Sequence, residues 1–256
     1  MDLSPRLAGP PIERPESRPI VATWLGRRPY RDVWALQKDL AAARAADEIG
    51  DRLLLVEHDA VLTLGRHADG AHVRATEAEL TRRGIELIRV ERGGEVTYHG
   101  PGQLVAYPII ALSRRGLLVR PLVRALEAAM VETCAAAGVA AERRDGHPGS
   151  WMDPDGPTPR KIGALGIRVE RGVSYHGIAL NIDANLADFE LIDACGLPGV
   201  VSTSIAVEAG RPDERPSTAA VEAAARVFTG ALARSIGVDV EGFAAESADR
   251  ALAAAR

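Results

Sequence analysis

Two side chains in this sequence combine a nucleophile with a cation that can exchange a proton. Cys195 lies in a glycine- and proline-bounded loop from residue 193 to 199, where a thiol can be reached. Of the 31 Lys and Arg residues, only Lys38 and Lys161 are lysines. A lysine in such an arginine-rich chain indicates a role that arginine cannot fill, because arginine stays protonated near neutral pH. The alternative is that a lysine is present by chance, and we accept this alternative for Lys38.

The pair of Cys195 and Lys161 predicts acyl transfer. A thiol attacks as its thiolate, and a nearby ammonium group favours that charged form. A lysine can also accept a proton if burial lowers its pKa. A cysteine activated in this way would hold an acyl group as a thioester and pass it on. An unreactive loop cysteine is the alternative.

A second chemical feature is the glycine-rich stretch from residue 91 to 103. Gly93-Gly94 lets the backbone approach another group closely, and Gly100-Pro101-Gly102 predicts a tight bend. Between them, the segment 96–99 is predicted to be extended and offers a hydroxyl, a phenol and the imidazole of His99. We expect this stretch to line a cavity for the acyl group. A hairpin loop with a surface histidine is the alternative.

Other kinds of site are not indicated. The six histidines and two cysteines show no metal-ligand spacing, so no metal is expected. Neither a dinucleotide fingerprint nor a phosphate-binding glycine loop occurs, so no cofactor is expected. Cys134 lies on the apolar stripe of a predicted helix and is expected to be a buried structural thiol.

Composition limits the class of protein. The 256 residues are 46% hydrophobic, which is enough for a substantial core. The net charge of −4 argues against a nucleic-acid binder. We find neither a secretory signal nor an apolar run near the roughly 18 residues of a membrane helix. The sequence therefore predicts a cytoplasmic protein without membrane contact.

Helix and strand patterns place these residues on predicted elements. Helices are predicted from an N-cap at Asp32 to Gly50, from Thr76 to Gly84, over 119–137, and from Ser217 to Ile236. The segments 162–169 and 174–182 predict a hairpin around 170–172, with Lys161 at its mouth. Strands and helices without strict alternation indicate an α+β domain with a mixed or antiparallel sheet backed by helices. The domain is predicted over 19–240, between a loosely ordered arm (1–18) and a tail (241–256).

These residues together carry a family resemblance. The segment 92–108, RGGEVTYHGPGQLVAYP, closely resembles the signature of lipoyl(octanoyl) transferases. Three later segments match in the same order: 161–168, 176–182, and Cys195-Gly196 followed by Thr203-Ser204. The likeness covers the chain from about residue 53 to about residue 204.

The resemblance implies a specific reaction. Members of this family take octanoate from the thioester of an acyl carrier protein and hold it on a cysteine. They pass it to the lysine amine of lipoyl domains, in 2-oxoacid dehydrogenase complexes or the glycine-cleavage H protein, during lipoate biosynthesis. By this resemblance Cys195 is the nucleophile, Lys161 lowers its pKa and handles protons, and His99 orients the thiol or substrate. The implied fold is the catalytic domain of biotin and lipoate protein ligases.

The resemblance also implies the substrate-binding residues, which lie in three segments of the chain. They are Arg92, Gly93, Gly94, Glu95, Val96, Thr97, Tyr98 and His99, then Ala164, Leu165 and Gly166, then Gly177, Ile178 and Ala179. Acidic protein partners would suit basic pairs such as Arg82-Arg83 or Arg114-Arg115, although solvated surface pairs are the simpler explanation.

Two other functions stay open at this point. An ATP-dependent lipoate or biotin protein ligase would share the fold and a lysine near this position, and it needs no nucleophilic cysteine. A non-catalytic module could use the same cavity to hold an acyl chain. Formation of an acyl-cysteine adduct separates both from the transferase.

Overall fold

A computed structural model of the chain describes residues 16–193, 200–212 and 215–245. Its strands are β1 (Ile20–Arg28), β2 (Arg52–His58), β3 (Val61–Leu64), β4 (Glu86–Arg89), β5 (Val96–His99), β6 (Gln103–Ile109), β7 (Glu142–Arg144), β8 (His147–Met152), β9 (Arg160–Glu170), β10 (Val173–Asn181), β11 (Val201–Ser202) and β12 (Val240–Ala245). Its helices are α1 (Tyr30–Ala45), α2 (Glu77–Arg83), α3 (Val119–Ala136), α4 (Ile205–Glu208) and α5 (Thr218–Ile236).

The main sheet is mixed. Within the described ranges its strands run in the order β12-β1-β2-β6-β10-β9-β8-β7, and β11 pairs with β9. β1 pairs in parallel with both β12 and β2. From β2 to β7 each neighbouring pair is antiparallel. The mixed sheet with its helices confirms the predicted α+β class.

Helices cover both faces of the main sheet. The apolar run of β2 shows this directly, since Leu53 and Leu55 pack in the core that includes α3 and α5, whereas Leu54 and Val56 pack in the core that includes α1. Side chains of a strand alternate between the two faces of a sheet. A continuous apolar run therefore fits a strand that is buried on both faces.

A smaller sheet of β4, β3 and β5 packs its own core against α2, through Leu62, Tyr98 and Leu80. Gly100-Pro101-Gly102 connects β5 of this sheet to β6 of the main sheet. At Gly102 the φ angle is 81°, and a Cβ there would lie 2.6 Å from a carboxylate oxygen of Asp183. The predicted tight bend is thus the joint between the two sheets.

Several predicted helix ends are confirmed by their caps. The Thr76 side chain accepts a hydrogen bond from the Glu79 amide, and α2 ends at Gly84 with φ 67°. Ser217 caps α5, which ends at Gly237 with φ 66°. The Cys134 thiol is fully buried on α3, and burial raises its pKa to about 12. It is therefore the structural thiol that the apolar stripe predicts.

The predicted start of the first helix was wrong. Helix α1 begins at Tyr30, directly after Pro29, and Asp32 lies in its first turn instead of capping it. Proline fixes φ near the helical value and lacks the amide that a helix start cannot satisfy, so it suits this position. The carboxylate of Asp32 still favours the helix start through the helix dipole.

The ends of the domain and one basic pair also differ in detail from the expectation. β12 extends the sheet to residue 245, past the predicted domain end at 240. Residues 1–15 of the predicted arm and 246–256 of the predicted tail lie outside the described residues. Arg115 is buried against Asp51, and Arg114 forms an ion pair with Asp47, so this pair is not an open docking patch. Within the described ranges, no helix is both long and apolar enough to span a membrane.

Candidate active site

A cavity of about 380 Å³ is lined by β5 and the loop before it on one side, and by β6, β9 and β10 of the main sheet on the other. Its volume falls within the range of roughly 300–1,000 Å³ that small-molecule sites occupy. Residues predicted from the resemblance form most of its wall. They are Arg92, Gly93, Gly94, Glu95, Val96, Thr97, His99, Lys161, Ala164, Leu165, Gly166, Gly177, Ile178 and Ala179.

Of the predicted site residues that the structure describes, Tyr98 is not on this wall. Tyr98 faces the core of the small sheet, where its hydroxyl donates to Asp188 at 3.0 Å and its ring contacts Phe189. Alternation along β5 explains this, because Thr97 and His99 face the cavity. Cys195 lies outside the described residues.

Glycine residues, which have no side chain, let the backbones around the cavity approach each other closely. The Gly93 amide donates to the Ile167 carbonyl at 3.2 Å, which ties the glycine-rich loop to β9. A Cβ at Gly166 would lie only 2.7 Å from the Gly93 carbonyl oxygen. A side chain at residue 166 would therefore push the loop away from β9.

Arg92 holds the glycine-rich loop from within. Its guanidinium donates to the Thr63 carbonyl at 2.6 Å, to the Thr63 hydroxyl and to the Gly93 carbonyl at 3.0 Å. These hydrogen bonds join the loop to β3 of the small sheet. The side chain is buried, so its charge also lowers the pKa of neighbouring imidazoles, including His99 and His176.

A β-bulge directs Lys161 into the cavity. Ser150 of β8 pairs with Gly163, but the next residue, Trp151, pairs with Lys161, so Ile162 is an extra residue in β9. Such an insertion reverses the alternation of side chains. Lys161 consequently lines the same cavity as Ala164, although the two residues are three positions apart in the sequence. Its ammonium nitrogen lies 4.8 Å from the centre of the Trp151 ring.

His99 is fixed in one tautomer by a hydrogen-bonded series. Its Nδ1 lies 2.8 Å from Gln103 Oε1, while Gln103 Nε2 donates to the Tyr98 carbonyl and to Asn181 Oδ1. Because Gln103 Nε2 is the donor in both of these hydrogen bonds, the other atom of the amide, Oε1, accepts the hydrogen bond from His99. His99 Nδ1 therefore carries the proton. Asn181 in turn donates to the Thr203 carbonyl, and the Thr203 amide donates to the Lys161 carbonyl. The series therefore links the two predicted catalytic residues, from β5 through β6 and β10 to β9.

The protonation state of His99 is also set by its surroundings. Its ring stacks on Tyr30, with ring centres 5.7 Å apart. Burial lowers its pKa to about 3, and the nearby His58 adds to the shift. His99 is therefore neutral near pH 7 and can orient a partner through Nε2.

The chain on both sides of the 194–199 segment is attached near the cavity. On the N-terminal side, the Asp193 amide donates to the His72 carbonyl at 2.8 Å, and His72 Nδ1 lies 3.1 Å from a carboxylate oxygen of Glu95 on the cavity wall. On the C-terminal side, Ser202 pairs with Lys161 as β11 runs parallel to β9.

Sequence patterns missed several residues of this site. Tyr30, Tyr107, His147 and His176 line the cavity, and Trp151 lies below the Lys161 ammonium. Tyr107 and His176 lie within the segments that carry the resemblance, which was the available signal for them. Tyr30 has no local signal, because its position depends on how α1 packs against the sheet.

No metal site is found in the part of the chain that the structure describes. Within 16–193, 200–212 and 215–245, no three side chains of His, Cys, Asp or Glu come together in an arrangement that could hold a metal ion.

Comparison with known proteins adds a family match and close relatives. The sequence model described as the lipoyl protein ligase A/B catalytic domain matches residues 29–222. A protein named octanoyltransferase from Chloroflexus aggregans is 44% identical over 195 residues, covering 76% of this chain and 87% of that protein. Another from Cupriavidus pinatubonensis is 40% identical over 217 residues, covering 84% and 83%.

Solved structures share the fold at low sequence identity. A lipoate-protein ligase A bound with ATP has a TM-score of 0.63 at 16% identity, covering 92% of this chain and 93% of that one. A bipartite lipoate protein ligase from Thermoplasma acidophilum has a TM-score of 0.61 at 15% identity, covering 93% and 91%. The predicted ligase-type fold is thereby confirmed.

Proposed function

Since this chain belongs to the lipoyl protein ligase A/B catalytic-domain family, and within it to the octanoyltransferases, it is an acyltransferase, and we propose that it transfers octanoyl groups in lipoate biosynthesis. The donor is the thioester of an octanoyl-acyl carrier protein. The acceptors are lysine amines on the lipoyl domains of 2-oxoacid dehydrogenase complexes and on the glycine-cleavage H protein. The reaction takes place in the cytoplasm.

The observation that carries this proposal is the cavity that ends at Lys161. Its middle is walled by the short side chains of Ala164, Gly166, Gly177 and Ala179, which leave space for an aliphatic chain. Polar groups, among them Lys161 and Thr97, also line the cavity, and a carbonyl group would react beside Lys161. A narrow apolar cavity with a few placed polar groups suits a fatty acyl thioester.

In the first half of the proposed reaction, the Cys195 thiolate attacks the carbonyl carbon of the octanoyl thioester. A new C–S bond forms, the carrier's C–S bond breaks, and the carrier leaves as a thiolate that takes up a proton. Cys195 is two positions after Asp193, so its Cα can lie at most about 7 Å from the anchored Asp193 Cα. This reach and the attachment of Asp193 to His72 support a thiol near the cavity mouth.

In the second half, the lysine amine of the lipoyl domain attacks the octanoyl-cysteine. A C–N bond forms, the C–S bond to Cys195 breaks, and the amine loses a proton. Lys161 favours the Cys195 thiolate as an ammonium group. Once Cys195 is acylated, Lys161 releases its own proton to solvent, and as the free amine it accepts the proton of the attacking lysine. His99, neutral and fixed by Gln103, orients the thiol or the substrate through Nε2.

Mass spectrometry of the intact protein tests the proposal. After incubation with octanoyl-acyl carrier protein, the mass should rise by one octanoyl group, and hydroxylamine should remove the addition because it cleaves thioesters. Cys195→Ala should abolish both the adduct and the transfer to a lipoyl domain. Cys134→Ala is the matched control, since this thiol is buried, and it should retain both.

The same assay separates the two other functions. An ATP-dependent ligase would lipoylate or octanoylate the acceptor from the free acid only with ATP, and would do so in the Cys195→Ala variant. A non-catalytic module would retain octanoate without any covalent adduct. Either result would overturn the proposed transfer through Cys195.

A further inference from the structure

The backbone of β10 departs from a regular strand at His176. Its φ is +54°, in the left-handed region that non-glycine residues seldom adopt. Adjacent side chains of a regular strand point to opposite faces. Here the rings of Tyr175 and His176 stack on each other, with centres 5.0 Å apart and an interplanar angle of 26°. The turned backbone therefore brings the His176 ring to the face on which Tyr175 lies.

Helix α1 fixes this conformation. The His176 amide donates to Oε1 of Gln37 at 2.8 Å, and Gln37 is completely buried. The ring also makes an edge contact with Tyr107, at 6.5 Å between centres. Strained backbone of this kind persists only where the surroundings determine it, and it is concentrated at ligand sites. A buried glutamine that holds a strained residue in this way indicates that the ring's position matters.

The His176 ring lines the cavity without a polar partner. The residue is 1% exposed, and neither ring nitrogen has a hydrogen-bond partner within the described ranges. The nearest carboxylate oxygen, on Glu91, is 4.0 Å away. An unsatisfied buried polar group is costly, so such groups in folded proteins call for an explanation.

His176 and Lys161 line parts of the cavity that lie far apart along β9. In the β9–β10 pairing His176 is opposite Ile167, six residues along β9 from Lys161. An acyl chain that reacts beside Lys161 and extends along these strands therefore meets the His176 ring.

We propose that His176 closes the acyl cavity on the side remote from Lys161 and limits the length of the acyl chain. Between these two residues the wall includes the small residues Ala164, Gly166, Gly177 and Ala179, which leave space for a hydrocarbon chain. At His176 the chain meets a ring that stacks on Tyr175 and contacts the edge of Tyr107, on a backbone that Gln37 holds. A longer chain has to displace that ring or leave methylene groups outside the cavity. This specificity role rests on the proposed octanoyl transfer.

Donors of different chain length test the proposal. We would measure kcat/KM for octanoyl-, decanoyl- and dodecanoyl-acyl carrier protein with the wild-type chain and with His176→Gly, which shortens the side chain and tolerates φ +54°. The dodecanoyl-to-octanoyl ratio should rise about 10-fold or more in the variant, since each misfitting methylene alters specificity about 10–200-fold. An unchanged ratio would overturn the role of His176.

Two further variants exclude a general loss of packing. His176→Asn keeps a polar side chain that accepts the left-handed conformation, and it should shift the ratio by an intermediate amount. His67→Ala removes an exposed imidazole that does not line the cavity and should leave the ratio unchanged. If either His176 variant fails to fold, the other decides the outcome. A wild-type chain that transfers no acyl group would instead refute the proposed function, which separates the two failures.

Discussion

The Lys161 ammonium nitrogen lies 4.8 Å from the centre of the Trp151 ring, and the Trp151 indole is itself held by a hydrogen bond from Nε1 to the His147 carbonyl at 3.0 Å. The aromatic face attracts the cation, and such contacts contribute about 0.5–2 kcal/mol. A Cβ at Gly149 would lie 3.1 Å from Cε of Lys161, so the lysine stem is also confined from the β8 side. The ammonium group is thereby held in one place at the reacting end of the cavity.

Replacing Trp151 should separate positioning of Lys161 from packing. Trp151→Phe keeps an aromatic face and should retain transfer within about threefold, whereas Trp151→Leu removes it and should lower kcat about tenfold, in line with the loss of a cation–π contact. KM for the carrier should change little in both, because Trp151 is buried below the lysine. Steady-state kinetics at several carrier concentrations measure this. Equal kcat values for the two variants would show that the aromatic face has no role.

The second prediction concerns stability and the buried charges beside β2. Asp51 accepts hydrogen bonds from Nε of Arg44 and from Nε of Arg115, each at 2.6 Å, and from the Ala111 amide at 3.0 Å. Asp51→Asn removes the anion that the two buried guanidinium groups share. Arg44 keeps Asp47 and Glu16, but Arg115 loses its carboxylate partner, which should lower the free energy of unfolding by about 3–5 kcal/mol. Urea denaturation followed by circular dichroism measures the loss.

The matched control for this change is Asp59→Asn. Asp59 pairs with Arg27 at 2.8 Å, but both side chains are about half exposed. Exposed ion pairs contribute about 0–1 kcal/mol, so this variant should be nearly as stable as the wild type. If Asp51→Asn lowered the free energy of unfolding only slightly, the two arginines would have found other partners or solvent.

Local patterns were sufficient for much of the fold. Thr76, Ser217 and Gly84 act within one turn of their own helix ends, so their capping roles are visible in sequence. The hairpin turn is equally local, because Arg171 and Gly172 take the positive φ angles of 49° and 79° that a two-residue turn requires.

Long-range contacts account for what the sequence did not reveal. The direction of the Lys161 side chain depends on one extra residue in β9. The direction of the His176 ring depends on a strained φ angle, which is held by Gln37, 139 positions earlier in the chain. Neither a bulge nor a positive φ at histidine has a pattern in the residues themselves. Strand β12 is likewise stabilised by its parallel pairing with β1, which no local propensity predicts.

A third prediction follows from three buried neutral histidines. Burial is the main cause that lowers the pKa of His58 to about 4 and those of His99 and His176 to about 3. In the unfolded chain each would take up a proton below about pH 6.5. The unfolded state therefore binds more protons than the folded state between about pH 6.5 and 4, so the free energy of unfolding falls as the pH is lowered through this range.

The expected loss is about 1 kcal/mol for each histidine between pH 7 and 5.5, or roughly 3–4 kcal/mol together. Urea denaturation at a series of pH values measures it. His176→Asn should reduce the slope by about one third, while His67→Asn, at an exposed loop position, should leave it unchanged. A stability that is flat from pH 7 to 5.5 would contradict the neutral state of these rings.

The last prediction concerns the proton that Lys161 is proposed to move. Lys161→Arg keeps a positive charge but cannot release a proton near neutral pH. Octanoylation of Cys195 should persist, because the charge still favours the thiolate, whereas transfer to the lipoyl domain should slow by about 100-fold or more. Single-turnover assays that follow the acyl-enzyme by mass spectrometry separate the two steps. Lys161→Met should impair both steps, and Lys38→Arg, at an exposed position over the Trp34 ring, should impair neither. Near-normal transfer by Lys161→Arg would mean that Lys161 acts through its charge alone.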